Sequence, residues 1–157
     1  MRTNMKQTIT WRPYIAIAMA GAALGWFGIP SIAQSGDTYK ITRLSALPAD
    51  AKTRADMAGS GSVTGVLAGT KFTINGTFEG LKTNAVAAKL HAAVSPAAGV
   101  RGPEIADLTI SKATSGTITG SVMLTAAQID NLKKGGLYVQ IYSEKPTDGT
   151  LWGWFLK

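Results

Sequence analysis

Apolar and polar residues alternate along much of the chain, and this alternation predicts β-strands. The clearest case is residues 71–78 (KFTINGTF), in which Phe72, Ile74 and Phe78 share one face and polar side chains occupy the other. A period of two is the repeat of a strand with one buried face. The predicted strands are Tyr39–Leu44, Ser62–Leu67, Lys71–Phe78, Ala85–Val94, Glu104–Ile110, Thr117–Leu124, Leu137–Ser143 and Leu151–Phe155.

One short helix is predicted, from Thr125 to Lys134. Thr125 and Gln128 have the spacing of a capping box, in which each side chain satisfies a free backbone N–H at the start of the helix. Gly135 and Gly136 follow the helix and favour its termination. Seven or eight short strands with one short helix indicate an all-β fold, an antiparallel β-sandwich or barrel.

The first 33 residues have the pattern of a secretory signal peptide. Their charged residues are all positive, an apolar stretch runs from Ile15 to Ile29, and Ser31-Ile32-Ala33 offers a small-residue cleavage site. A membrane span needs about 20 apolar residues, whereas this stretch is shorter and contains glycine. We predict an apolar signal helix cleaved after Ala33, with an uncleaved membrane anchor as the alternative. The remaining domain, residues 34–157, is then expected to be secreted or periplasmic.

The number and distribution of charged residues limit the partners that the chain can bind. The chain has 16 basic and nine acidic residues and a net charge of +7. Loss of Arg2, Lys6 and Arg12 with the signal would leave 13 basic residues and a net charge of about +4. The 13 remaining basic residues are scattered along the sequence and form no basic stripe of the kind that binds phosphates. We therefore predict no nucleic-acid partner. The chain has no cysteine, so the exported domain must be stabilised by a packed core.

Two blocks of the sequence resemble the CHRD domain, first described in chordin and common in secreted bacterial proteins. One block is Ala88-Lys89-Leu90-His91 followed by Gly102-Pro103, and the other is the closing pair of predicted strands with its Tyr and Trp residues. The resemblance extends over Tyr39–Leu156. It implies an immunoglobulin-like β-sandwich located outside the cytoplasm, and it implies no established reaction.

The chain departs from the family pattern at the polar positions. The pattern has a second histidine where this chain has Lys89 and a third where it has Tyr142. It also has an acidic residue at the position of Thr150 and a basic residue at that of Trp152. Of the family's polar cluster only His91 remains in this chain.

These departures argue against a metal site or a catalytic site. His91 is the only histidine, and zinc or copper sites in proteins use three or more ligands as a rule. His91 with a carboxylate from Glu104 or Asp107 is a weak candidate for such a site. A Gly-x-Ser-x-Gly nucleophile motif is missing from the sequence, and the acidic residues are dispersed. We therefore predict no enzymatic activity, no cofactor and no metal.

The last two predicted strands suggest a binding surface instead. Tyr138 and Tyr142 share one face of their strand, and Trp152 and Trp154 share one face of theirs. If the two strands pair, these side chains form one aromatic platform near Lys89 and His91. Exposed Trp and Tyr residues are typical anchors for binding a protein or a polysaccharide. The alternative is that this face is the core, or is covered by the connection of residues 45–59.

The sequence thus predicts an exported, non-catalytic binding or structural module of the CHRD type. Its partner would be another extracytoplasmic protein or a polysaccharide, and the membrane would be contacted only through an uncleaved N-terminal segment. Two alternatives remain open. One is a copper- or zinc-binding or redox-associated extracytoplasmic protein that uses His91, and the other is an accessory subunit of an exported membrane-associated complex.

Overall fold

The predicted strands and the predicted helix that follows Thr125 are present in the structure. A computed structural model describes residues 36–46, 53–95 and 100–157 of the chain. Strand ends differ from the prediction by a few residues; the fourth strand, for example, ends at Ala92 and not at Val94. The elements are β1 (Asp37–Ala46), a 3₁₀ turn (Arg54–Asp56), β2 (Ser60–Ala68), β3 (Lys71–Glu79), β4 (Ala85–Ala92), β5 (Glu104–Ile110), β6 (Gly116–Met123), α1 (Ala126–Lys133), β7 (Leu137–Ser143) and β8 (Leu151–Trp154).

All pairings between neighbouring strands are antiparallel, and they close into a barrel. The order is β1-β2-β3-β6-β5-β4-β7-β8, and β8 pairs back with β1 through Ser45 and Ala46. Two strands divide their length between two partners. Most of β1 pairs with β2 and its end pairs with β8, while β5 pairs with β4 and then, through Thr109 and Ile110, with β6.

This closure decides between the two predicted architectures. The immunoglobulin-like sandwich that the resemblance implied would have two separate sheets, whereas here the ladders join all eight strands in a closed ring. The physical reason is that β1 and β5 each pair with two strands, one on either side. These two strands therefore join what would be the two sheets of a sandwich and leave no free edge there. The all-β, antiparallel part of the prediction is confirmed, and the closed barrel replaces the sandwich.

The core fills the barrel interior. Alternate residues of every strand point inward, as predicted for Phe72, Ile74 and Phe78 of β3. Gly65 of β2 makes room for this packing, because a Cβ atom there would overlap the ring of Phe72. Phe72 in turn packs edge-on against Phe155, with ring centroids 5.1 Å apart. Residues that alternate with these core positions must therefore lie on the outer face of the barrel.

Helix α1 connects β6 to β7 and has the predicted cap. The backbone N–H of Thr125 donates to Oε1 of Gln128 at 2.9 Å, and the N–H of Gln128 donates to Oγ1 of Thr125 at 3.3 Å. Gly135 takes a φ of +73°, which ends the helix in a conformation that glycine adopts without strain. Leu132 anchors the helix to the core, where it is buried.

The predicted signal segment, residues 1–33, lies outside the described residues. Its cleavage and its alternative role as an anchor remain predictions. No helix within the described part of the chain is long and apolar enough to cross a membrane.

Candidate functional site

The candidate residues of β4, β7 and β8 share the outer face of the barrel. Their strand neighbours, such as Leu90, Val139 and Leu151, belong to the core. Because side chains alternate along a strand, the candidate residues point the other way. Tyr142 lies further along the same face of β7. The strand register sets the others in two rows: His91, Tyr138 and Trp154 in one, and Lys89, Gln140 and Trp152 in the next.

The aromatic side chains on this face form one connected group. Tyr138 lies at its centre, with ring centroids 4.9 Å from His91, 4.5 Å from Trp154 and 6.1 Å from Trp152. The two tryptophans contact each other at 5.6 Å. We call Tyr138, Tyr142, Trp152 and Trp154 the aromatic platform. The sequence predicted that these residues would lie together near His91, and the structure places them so.

The members of the aromatic platform differ in exposure. Trp152, Trp154 and Tyr142 are partly exposed, whereas Tyr138 has only 1% of its surface accessible. None of the four belongs to the hydrophobic core cluster inside the barrel. Tyr138 is covered from outside, by its aromatic neighbours and by the segment that carries Gly102. It supports the tryptophans from beneath, and they form the accessible surface.

The backbone of Gly102 fastens this segment to the barrel. Its carbonyl oxygen accepts from the Tyr138 hydroxyl at 3.3 Å and lies 3.2 Å from Nδ1 of His91, while its N–H donates to the Tyr138 oxygen at 3.3 Å. A Cβ at this position would overlap the carbonyl oxygen of Ala92, so only glycine fits without displacement. The Gly102-Pro103 pair is therefore a close-approach point that holds the chain over β4 and β7.

His91 is occupied on both ring nitrogens. A carbonyl oxygen can only accept, so Nδ1 donates to Gly102 and Nε2 is left to accept from the Tyr142 hydroxyl at 3.3 Å. Burial lowers the pKa of His91 below its ordinary value of 6.5, against the opposite effects of the Gly102 carbonyl and Glu104. A pKa below 6.5 leaves the imidazole largely uncharged at neutral pH. The ring stacks on Tyr138 with an interplanar angle of 11°.

Lys89 lies beside the aromatic platform in a cluster of charges. Its Nζ is 2.6 Å from a Glu104 carboxylate oxygen and 3.4 Å from Asp107. The hydrogen bond to Glu104 is the main cause that raises the pKa of Lys89. Two carboxylates offset one ammonium here, so the net charge of this cluster is negative.

Arg101 is a site residue that the sequence did not predict. Its guanidinium carbon lies 5.3 Å from the ring centroid of Trp152, within the range of a cation–π contact. A signal was present in the sequence, since Arg101 precedes the Gly102-Pro103 pair. Only the fold shows that this segment reaches across β4 and β7 to Trp152.

The described residues do not bring together the ligands of a metal site or a serine nucleophile beside His91. Among the residues that the structure describes, no group of three or more His, Cys, Asp or Glu side chains is placed to hold a metal ion. His91 would first have to give up a hydrogen bond to present a free nitrogen. Ser143 is buried and its hydroxyl is engaged with Lys145 and Thr150. It is not available to His91 as a nucleophile.

The comparisons with known proteins give one family. No curated protein and no solved structure matches the chain. The family model of the CHRD domain matches residues 42–153, which is more than half of the chain and includes every candidate residue except Trp154. This match confirms the resemblance noted in the sequence, and the chain belongs to the CHRD domain family.

Proposed function

We propose that the protein is an exported, non-catalytic binding module whose ligand contacts the aromatic platform. One observation carries this proposal: Trp152 and Trp154 are held partly exposed on the outside of a closed barrel, in contact with each other and with the buried Tyr138. Large aromatic side chains with few rotatable bonds lose little conformational entropy on binding. Side chains that are already fixed by their neighbours lose still less.

Binding is favoured over catalysis because the polar groups of the site already have partners. His91 is hydrogen-bonded at both nitrogens, and Lys89 is paired with Glu104 and Asp107. A general base must lie within hydrogen-bond reach of a substrate proton, and here both nitrogens of His91 contact groups of the protein itself, a backbone carbonyl and a tyrosine hydroxyl. Within the aromatic platform, the side chains left to contact a ligand are the partly exposed tryptophans and the hydrocarbon faces around them.

Export is part of the proposal and rests on the N-terminal sequence. The basic start, the apolar stretch and the small-residue site before Gln34 together favour secretion or release into a periplasm. The intact mass of the exported protein tests this directly. Loss of residues 1–33 supports the secreted form, and an intact N-terminus supports the anchored accessory subunit.

The binding proposal is tested by screening the exported protein against immobilised polysaccharides and extracellular proteins, in parallel with two variants. Trp152→Ala removes part of the aromatic platform. Met123→Ala removes an exposed hydrophobic side chain of β6 and serves as the control. We expect at least one ligand that is retained by the wild type and the control and lost by Trp152→Ala. The proposal would be contradicted if every ligand bound equally well to the two variants, or if the screen found no ligand at all.

A further inference from the structure

A groove runs along the β1 side of the aromatic platform. It has a volume of about 540 Å³ and lies between the outer faces of β1 and β8. Its lining combines basic, hydroxyl and aromatic side chains. The polar and aromatic lining includes Lys40, Arg43, Thr42, Ser45, Trp152 and Trp154.

The groove follows an irregular stretch of β1 that lies between two points paired with the last part of the chain. At one end Lys40 and Leu156 exchange two backbone hydrogen bonds of 2.7 and 3.0 Å, and at the other Ser45 pairs with Trp152. Between these points β1 has one residue more than β8, and its register with β2 also shifts there. An extra residue bends a strand away from its neighbour. The groove therefore coincides with the extra residue in the backbone of β1.

The charges around the groove are mostly positive. Lys40 and Arg43 are exposed, and within the described part of the chain neither forms an ion pair. Lys157, which also lines the groove, is paired with Asp37 at 2.7 Å. Arg101 adds a further cation at Trp152, from the side of β4 and β5. Trp152 therefore has Arg101 on one side and the cations of the groove on the other, whereas the cluster of Lys89, Glu104 and Asp107 beside the aromatic platform has a net negative charge.

We infer that this groove binds a linear polysaccharide that carries carboxylate groups, such as a polyuronate. This inference rests on the proposed function and names its ligand class. The apolar face of a sugar ring can pack on an indole, and its hydroxyls can bond with Thr42 and Ser45. The regularly spaced carboxylates would pair with Lys40 and Arg43.

An acidic peptide is the competing ligand, and the structure favours it less. Extended peptides are commonly bound by adding a strand to a free sheet edge. Here β1 is paired with the last part of the chain at both ends of the groove. The unpaired stretch between these points is too short to accept an added peptide strand. A shallow groove with aromatic walls and hydroxyl groups fits sugar rings better than it fits a peptide backbone.

The test uses the full chain with Trp11→Phe and Trp26→Phe, which leaves Trp152 and Trp154 as the only tryptophans. Their fluorescence then reports on the groove itself. The probes are polygalacturonate, its fully methyl-esterified form and polyglutamate. The charge variant is Lys40→Gln/Arg43→Gln, and its matched control is Lys71→Gln/Lys112→Gln, which removes the same charge outside the groove.

We expect polygalacturonate to change the tryptophan fluorescence, and the charge variant to bind about fivefold or more weakly than the control. The methyl ester should bind more weakly than the acid. Equal losses in the charge variant and the control would show general attraction to a polycation and overturn the inference. Polyglutamate binding as tightly as polygalacturonate would also overturn it, in favour of an acidic peptide.

Failure of the inference can be distinguished from failure of the proposed function. If the methyl ester binds as tightly as the acid and Trp152→Ala abolishes both, the aromatic platform binds sugars without regard to charge. The proposed function then stands and the acidic ligand is wrong. If none of the probes binds, the inference is wrong, and the broader screen with Trp152→Ala decides the proposed function independently.

Discussion

The hydroxyl of Tyr142 lies 3.3 Å from Nε2 of His91. The other ring nitrogen, Nδ1, is hydrogen-bonded to the Gly102 carbonyl. The imidazole thus bridges a side chain of β7 and the segment that precedes β5. It also stacks on Tyr138, which carries Trp154 on its other side. His91 therefore contacts two members of the aromatic platform, Tyr138 by stacking and Tyr142 by a hydrogen bond.

The protonation of His91 should make stability depend on pH. Its pKa is lowered in the folded state, mainly by burial, and the cations of Lys89 and Arg101 act in the same direction while Glu104 opposes them. Below pH 6.5 the unfolded chain therefore binds a proton that the folded protein resists. The free energy of unfolding is expected to be highest above pH 6.5 and to fall as pH decreases toward the folded pKa, by at most about 1.4 kcal/mol per pH unit.

This expectation can be measured without ambiguity, because His91 is the only histidine. The proton NMR titration of its ring should show a midpoint below 6.5. Denaturant unfolding between pH 5 and 7 should show the loss of stability in the wild type and a smaller one in His91→Phe, which retains an aromatic ring but does not titrate. A titration midpoint above pH 6.5 would contradict the lowered pKa of His91. The same pH dependence of stability in both proteins would show that His91 does not cause it.

Tyr138→Phe is expected to destabilise the protein through Gly102. The change removes the hydroxyl that accepts from the Gly102 N–H and donates to its carbonyl, while the ring contacts remain. A loss of about 1–2 kcal/mol is expected, or a fall in Tm of about 3–8 °C. Tyr39→Phe is the matched control, because Tyr39 is equally buried and the structure shows no hydrogen bond from its hydroxyl to the described residues. Equal effects of the two changes would contradict a specific role for the Gly102 bonds.

Much of the fold could be predicted because burial imposes a simple period on each strand. In β3 the inward residues Phe72, Ile74 and Phe78 alternate with polar ones, so the strand and its buried face follow from the sequence. The cap of α1 is equally local, because it depends on Thr125 and Gln128 alone. Features that depend on three or four neighbouring residues were predicted correctly.

The remaining features depend on contacts between distant segments. Tyr138 has the same strand parity as Tyr142, yet it is buried because the segment with Gly102 folds over it. No period along β7 contains that information. Closure of the barrel likewise depends on where β1 changes partners, and Arg101 becomes a site residue only because its segment crosses two strands.

Gly102→Ala tests whether this segment is held by close approach. The added methyl group would overlap the carbonyl oxygen of Ala92, and backbone cannot move aside as a flexible side chain can. We expect a loss of about 1–3 kcal/mol, typical of overpacking, together with a change in near-UV circular dichroism as Arg101 and the aromatic rings shift. Wild-type stability with an unchanged spectrum would show that the segment accommodates the methyl group and does not organise the aromatic platform.

Trp154, at the end of β8, and Phe155, which follows it, lie on opposite sides of the barrel wall. Phe155 is fully buried and packs on Phe72 inside the barrel, so Phe155→Ala should cost about 3–5 kcal/mol. Trp154 is partly exposed on the outer face and its truncation mainly uncovers Tyr138, so Trp154→Ala should cost about 1–2 kcal/mol. Thermal unfolding of both variants gives the comparison, and ligand binding by the folded Trp154→Ala protein should be strongly reduced. If Trp154→Ala were as destabilising as Phe155→Ala, the tryptophan would be a structural residue, and the case for an aromatic binding surface would rest on Trp152 alone.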